Sequence, residues 1–211
     1  PLTPIQLTID KLKSKYSEKI KDHEKDDFEK SLKIIDKQIK QIENLVNEFS
    51  DFARMPKPIL KDNNLVLIIQ DNINLIKEID LNIAINFKSS KPEIILNSDN
   101  EQLSRVFFNL IKNSIESIQD KRLNNTNLNG MINIYLDNIS SDISFIIEDN
   151  GLGFGKFTNN IKDILNPYFT TKKKGTGLGL AIVNKIINDH NGSIEFIIID
   201  NGARIMINFK K

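Results

Sequence analysis

From Phe28 to Ala53 the apolar residues Phe28, Leu32, Ile35, Ile39, Ile42, Val46, Phe49 and Ala53 recur in steps that alternate four and three. That spacing keeps one stripe on one side of a helix and fits the seam of a left-handed coiled coil. Lys37, Gln38, Lys40, Gln41 and Glu43 occupy the other faces. A second helical stripe, Ile5, Ile9, Leu12, Tyr16 and Ile20, precedes it. The polar run Asp22 to Asp27 between the two stripes reads as a turn, so residues 1–55 form a helical hairpin. Two helices enclose little core. The seam is therefore expected to be completed by a second copy of the chain, as a homodimeric four-helix bundle. The alternative is a hairpin packed on the chain's own second domain.

The pattern changes at Arg54-Met55-Pro56-Lys57-Pro58, because proline lacks the N–H and disfavours helix in the residue before it. This places a linker at 56–62 and a second domain at 63–211. In that domain helices are expected at Leu65–Ile79, Asn100–Gln119 and about Leu178–Asp189. Strands are expected at Ile83–Phe87, Glu93–Leu96, Met131–Leu136, Ile143–Glu148, Ser193–Ile199 and Ala203–Phe209. The last two strands close around Asp200-Asn201-Gly202, a turn signal. Strands and helices that do not strictly alternate point to an α+β sandwich with helices on one sheet face.

Composition excludes more than it selects. The 211 residues carry a net charge of +1, which gives no sign of a nucleic-acid surface. The absence of cysteine removes disulfides, thiolate metal sites and a cysteine nucleophile, and fits a reducing, cytoplasmic setting. No apolar run reaches the roughly 18–20 residues that cross a bilayer.

Three motifs carry chemistry. Gly175, Gly177 and Gly179 lead into the apolar helix Leu178-Leu180-Ala181-Ile182-Val183, and a glycine-rich turn at a helix N-terminus offers free N–H groups to an anion such as phosphate. The same pattern also suits a flexible turn. It is not a Walker loop, and no strand of a βαβ unit precedes it. Glu148 to Gly155, "EDNGLGFG", ends a strand with a carboxylate beside Gly151, Gly153 and Gly155. Asp149 there could accept from an adenine amino group, or simply cap a tight turn. Asn109 and Asn113 are four apart and share one helix face among apolar neighbours. Buried amides need partners, and a divalent cation on phosphate oxygens would be one, since Mg²⁺ prefers oxygen ligands. Lys112 beside them reads as surface charge or as a phosphate contact. The stretch Asp149–Thr176 between the two glycine clusters is longer than an ordinary connection, as a functional lid or a surface loop would be.

Taken in order, Asn109/Asn113, Asp149-x-Gly151-x-Gly153, Phe169-Thr170-Thr171-Lys172 and Gly175-x-Gly177-x-Gly179 resemble the four nucleotide boxes of sensor histidine kinases, which share the Bergerat fold with gyrase, Hsp90 and MutL. The likeness runs from about residue 60 onward. The hairpin resembles the dimerisation and histidine-phosphotransfer domain, and "PLTPIQL" and "VNEFSDFARMPKP" resemble the NtrY-type nitrogen-regulation kinases. The resemblance implies an ATP-dependent protein-histidine kinase of a two-component system, with ATP and Mg²⁺ as cofactors. Asn113 would be the main Mg²⁺ ligand with Asn109 helping, and Lys112 would lie beside the nucleotide. Asp149 would hold the adenine amino group, with Gly151 and Gly153 shaping the pocket. Residues 154–176 would be the lid, packed down by Phe169 and anchored by Thr170 and Thr171. Lys172 would approach the phosphates, and Gly175, Thr176, Gly177, Leu178 and Gly179 would cradle them. Lys173 and Lys174 read as solvated charge.

The resemblance further implies a homodimer through the hairpin, a response-regulator receiver domain as partner, and membrane association only through segments other than these. It places the chain in the cytoplasmic portion of a bacterial inner-membrane sensor protein. In the family the acceptor histidine stands just before P-L-T-P, five residues upstream of Pro1. His23 in the polar turn and His190 at a helix end do not take its place, so the chain as written is expected to bind ATP without phosphorylating its own native site. Two rivals remain. A gyrase- or Hsp90-like ATPase would need a water-activating carboxylate where Asn109 stands. A non-catalytic dimeric scaffold would need a degenerate pocket, yet no box residue is missing.

Overall fold

In the computed structural model of the protein, residues 3–16, 22–77, 82–139, 142–154, 161–172 and 175–210 are described. Ile20, Gly155, Lys173 and Lys174 lie outside these ranges, as do Pro1 and residues 155–160 of the expected lid. The chain divides into two units, Pro1–Met55 and Pro56–Lys211.

The first unit consists of α1 (Thr3–Tyr16) and α2 (Asp22–Ala53). The expected turn at Asp22–Asp27 is instead the start of α2. The run contains no glycine or proline to break a helix, and Glu24, Asp26 and Asp27 suit the positive end of a helix dipole. His23 therefore lies in a helix and not in a turn. Within the hairpin Ile9, Leu32 and Ile39 are buried, with Phe28 packed against them. The rest of the seam is not filled, and Ile35, Ile42 and Phe49 remain 44%, 50% and 46% exposed.

The second unit opens with β1 (Lys61–Asn64), which pairs antiparallel with β3 (Ile95–Ser98). The segment Lys-Asp-Asn-Asn has no strand pattern, and side-chain amides help hold it. Asn63 Nδ2 donates to the Ser98 carbonyl at 2.7 Å, and Asn97 Nδ2 donates to Asp62 Oδ1 at 3.2 Å. Asn64 Oδ1 accepts from the Val66 N–H at 3.1 Å and so caps α3 (Leu65–Lys77).

The main sheet has the order β2-β4-β5-β7-β6. Its strands are β2 (Ile83–Ser89), β4 (Gly130–Ile139), β5 (Asp142–Asp149), β6 (Gly192–Ile199) and β7 (Gly202–Lys210). β2 runs parallel to β4 and the other pairs are antiparallel. Alternate residues bury one face: Ile132, Ile134 and Leu136 on β4, Ile143, Phe145 and Ile147 on β5, Ile205, Ile207 and Phe209 on β7. Against this face pack α3, α4 (Asn100–Arg122) and α5 (Gly179–Asp189), with α4 between the other two. The expected α+β sandwich is the observed one.

α4 supplies most of the helical core through Leu103, Val106, Phe107, Leu110, Ile111, Ile115 and Ile118, all buried. Phe107 meets Phe145 of β5 with ring centroids 4.8 Å apart. The helix is capped by Asp99, whose Oδ1 accepts from the Gln102 N–H at 3.0 Å while Oδ2 accepts from the Ile59 N–H at 2.8 Å. Burial alone would raise this carboxyl, but the Ile59, Gln102 and Glu101 N–H groups outweigh it and hold its pKa below the ordinary value. Asp99 also donates its own N–H to His190 Nε2 at 2.9 Å. An accepting Nε2 means a neutral ring, so the proton is on Nδ1 and is donated to the Ile186 carbonyl at 2.8 Å. His190 is thus a buried tie between the end of α5 and the start of α4.

A lowered carboxyl pKa contributes stability above the unfolded value of about 3.9 and loses it as pH falls through the lower folded value. Asp99→Ala is expected to cost about 1 kcal/mol at pH 7 as the loss of a helix cap. That gap between wild type and variant should close as pH drops below about 4, read from thermal melts of the second unit across pH.

Candidate functional site

α4 presents two polar stripes beside its apolar one. The first is Asn109, Asn113 and Glu116. Lys172, from the segment before the second glycine cluster, reaches this stripe: its Nζ donates to Asn113 Oδ1 at 3.1 Å and pairs with the Glu116 carboxylate. Lys112 Nζ stands 3.9 Å from the other oxygen of Glu116, on a half-exposed side chain. Asn109 points toward the start of α5, where a methyl added to Gly179 would lie 3.7 Å from Asn109 Oδ1.

The second stripe is Ser114, Ser117 and Lys121, and it holds the turn after β5. Asp149 is buried and accepts the Gly151 N–H at 2.9 Å on Oδ1. Desolvation is the largest influence on it and raises its pKa above the usual carboxylate value. Hydrogen bonds from the Gly151 N–H, the Ser114 side chain and the Ala203 N–H, with the Lys121 charge, only partly offset this. Lys121 Nζ donates to the carbonyls of Asn150 and Gly151 at 2.8 and 2.9 Å. Ser117 Oγ accepts from the Leu152 N–H at 2.9 Å and leaves no room for a side chain at Gly151. Gly153 lies against the Gly202 carbonyl.

Between the glycine clusters a short 3₁₀ helix, Ile161–Leu165, packs against α5 with Ile164 buried. The Phe169 N–H bonds the Asn166 carbonyl at 3.1 Å, and the Tyr168 N–H bonds the Gly177 carbonyl at 3.0 Å. Tyr168 and Gly177 both take positive φ, 69° and 71°. A Cβ at Gly177 would strike the Tyr168 backbone, so only glycine fits this close approach. Thr170 Oγ1 accepts from the Lys172 N–H at 3.1 Å and lies against Gly175. Thr171 is exposed. Thr176 Oγ1 receives the Leu178 N–H at 3.4 Å. Leu178, fully buried, is the N-cap of α5 and gives that helix no side-chain cap. Unlike Asp99 at the start of α4, Leu178 makes no side-chain bond to the first N–H groups of its helix.

The structure thus gathers Asn109, Lys112, Asn113 and Lys172 about one stripe of α4. Gly151 and Gly153 stand with Asp149 at the other end of the helix, and Phe169, Thr170 and Gly175–Gly179 join the first group through Lys172 and Gly179. Sequence reasoning missed Glu116, Ser114, Ser117 and Lys121. Their spacing was the available signal, since Glu116 follows Asn113 by three residues and Ser114, Ser117 and Lys121 step by three and four.

The arrangement suits the group the sequence implies. Asn113 Oδ1 already accepts from an ammonium ion, which stands in for a cation, and amide and carboxylate oxygens are ligands a hard divalent cation takes. Among the described residues no three His, Cys, Asp or Glu side chains form a metal cluster.

A mixed sheet under three helices, with an anion-ready helix start and a buried carboxylate at the far end of the central helix, defines an ATP-binding α/β sandwich. The chain belongs to the histidine kinase-, DNA gyrase B- and HSP90-like ATPase family, whose profile matches residues 98–211. It is 36% identical to a putative NtrY-like sensor histidine kinase of Rickettsia prowazekii over 99% of this chain and 33% of that protein. It is 34% identical to the nitrogen regulation protein NtrY of Azorhizobium caulinodans over 92% of this chain and 25% of that protein. The chain therefore spans a third or less of the length of these curated relatives. Among solved structures the catalytic domain of histidine kinase ThkA superposes with a TM-score of 0.62 at 28% identity, covering 72% of this chain and 95% of that domain. ThkA in complex with the response regulator TrrA matches 99% of this chain and 58% of that one at TM-score 0.71 and 24% identity, a likeness of fold. Together these identify the ATP-binding core of a sensor histidine kinase.

A raised carboxyl pKa makes the folded state lose stability as pH climbs from the unfolded value of about 3.9 to the folded one. Asp149→Asn removes that charge yet keeps an oxygen for the Gly151 N–H. Its melting temperature at pH 7 is expected to equal or exceed wild type, and its melts should lack the wild-type decline over that interval. A midpoint several degrees lower would contradict this account.

Proposed function

We propose that the chain is the catalytic core of a protein-histidine kinase that binds ATP with Mg²⁺ and transfers the γ-phosphoryl group to a histidine imidazole. The observation that carries the reading is the single stripe of α4 that holds Lys172 at Asn113 and sets Asn109 beside Gly179 at the start of α5. An amide oxygen that accepts from an ammonium, and a glycine-rich helix start next to that stripe, are groups that would suit a polyphosphate with its cation.

Asp149 would accept the adenine amino group with the carboxylate oxygen not spent on Gly151. Asn113, helped by Asn109, would hold Mg²⁺, which when bound draws charge off the phosphates. The N–H groups of Gly177 to Gly179 and the Lys172 ammonium would fix the phosphate chain. Thr170 and Thr171 would anchor the lid, and Phe169 would pack it. Residues near the phosphates then act by positioning and charge stabilisation. The imidazole nitrogen forms the new N–P bond as the bond to the ADP oxygen breaks. His190 has both ring nitrogens engaged and is not that acceptor. Hydrolysis of the gyrase or HSP90 kind is less well supported, because the Asn109 amide cannot act as a general base.

Residues 1–55 would form the dimerisation and phosphotransfer hairpin, 56–62 the linker and 63–211 the catalytic domain. The half-filled seam supports pairing of two hairpins into a four-helix bundle. The phosphoryl group would pass on to an aspartate of a response-regulator receiver domain. The exposed Asp10 and Lys13 and the half-buried Gln6 of α1 are candidates for that docking face. The named complex of ThkA with TrrA supports this partner class. The kinship with NtrY proteins supports a place on the cytoplasmic side of a membrane sensor. No helix of the described residues is long and apolar enough to cross a membrane.

Calorimetric titration with a non-hydrolysable ATP analogue tests the site. Wild type should bind at least about tenfold more tightly with Mg²⁺ than without, a difference of about 1.4 kcal/mol. Asn113→Ala should abolish that Mg²⁺ dependence while leaving metal-free binding. Asp149→Asn should weaken both by about tenfold or more. No binding by wild type would sink the kinase reading.

A further inference from the structure

Glu116 has no part in the roles assigned above. It follows Asn113 by three residues on the same face of α4. Its carboxylate pairs with Lys172, the same ammonium that donates to Asn113 Oδ1 at 3.1 Å, and Lys112 stands 3.9 Å from its second oxygen. The Lys172 and Glu116 side chains are 31% and 36% exposed. One ammonium is therefore shared between a carboxylate and the amide oxygen best placed to serve a divalent cation.

We infer that Glu116 is a positioning residue that parks Lys172 on Asn113, tying the segment before the glycine cluster to α4 until nucleotide arrives. The inference rests on the nucleotide reading of the site. An ammonium is a compact point charge with three donors, so it can hold both oxygens at once. Asn113 Oδ1 is then engaged and becomes available to a cation only as Lys172 withdraws. The parked lysine also neutralises a carboxylate that would otherwise repel an approaching polyphosphate. When phosphate oxygens compete for Lys172, Glu116 keeps Lys112 as its counter-charge. The tether extends to the backbone, because the Lys172 N–H bonds Thr170 and the Tyr168 N–H bonds Gly177. A pair this exposed is weak, so it biases the segment without locking it.

Hydrogen exchange of the nucleotide-free 211-residue chain tests this, with wild type, Glu116→Gln, Lys172→Met and the double variant. Each single change should speed exchange of the Tyr168, Phe169 and Lys172 amides about threefold, while β5 amides keep their wild-type rates. The double variant should exchange no faster than either single one, since both break the same contact. Unchanged rates, additive rates, or a rise shared equally by β5 would each overturn the tether. ADP titration of wild type alongside separates the two claims. Binding of ADP with no exchange effect in Glu116→Gln overturns the tether alone. Absence of ADP binding overturns the nucleotide reading and with it the exchange of Lys172 for a cation at Asn113.

Discussion

The apolar stripe of α4 pressed on the sheet, with Phe107 against Phe145, sets where every polar group of the site stands. A helix turns 100° per residue, so fixing one stripe fixes the others. Once Leu103, Phe107, Leu110 and Ile111 face the sheet, Asn109, Asn113 and Glu116 must face the glycine loop. Ser114, Ser117 and Lys121 must face the turn after β5. The eight steps from Asn113 to Lys121 separate the two ends by about 12 Å along the axis. The helix is itself anchored at its start, where Asp99 gathers the Ile59 and Gln102 N–H groups and reaches His190 through its own N–H. That one residue joins the beginning of the unit, the central helix and the end of α5.

Three carboxylates show how differently one fold treats the same group. Asp99 lies among N–H donors near the surface and is held ionised. Glu116 stands half exposed between two lysines. Asp149 is buried, and its donors do not offset the loss of water. The end of a strand does not need such a costly group, because a serine or asparagine would accept the Gly151 N–H as well. A carboxylate kept where burial penalises it is a functional-site signal with a physical basis. The same holds for Tyr168, which takes a left-handed backbone conformation that an aromatic residue adopts only when its surroundings enforce it.

Much of this was legible in the order of residues, and the exceptions have causes. Period-3.6 and period-2 stripes located α3, α4, α5 and the long strands, because burial of one face writes itself into the pattern. β1 left no such trace, since Lys61–Asn64 is held by pairing with β3 and by side-chain amides and not by a buried face. The polarity of Asp22–Asp27 resembles a turn, but a polar run without glycine or proline also suits the solvent-exposed first turns of a helix, and there α2 begins. At the site the glycines and asparagines stood out by composition. Glu116, Ser117 and Lys121 are ordinary helix-surface residues, and only their partners, brought in from 56, 35 and 30 residues away, give them a role.

Each unit is incomplete in a way the other kind of structure can answer. The sandwich has a closed apolar core and a glycine-rich start to α5. Yet Asn109 carries an amide where a base would be needed to activate water, and His190 is spent as a structural tie. In the proposed reaction it would orient the phosphoryl group without supplying the nucleophile from these positions. The hairpin has the opposite surplus, since Ile9, Leu32 and Ile39 are buried while Ile35, Ile42 and Phe49 are half exposed. Leaving such a seam in water costs roughly 25 cal/mol for each Å² that pairing would cover. A bundle of two hairpins, as proposed, would remove that cost. The missing base and the unfilled seam therefore favour the same chemistry, transfer to a side chain carried on a helical bundle and not hydrolysis within the nucleotide domain.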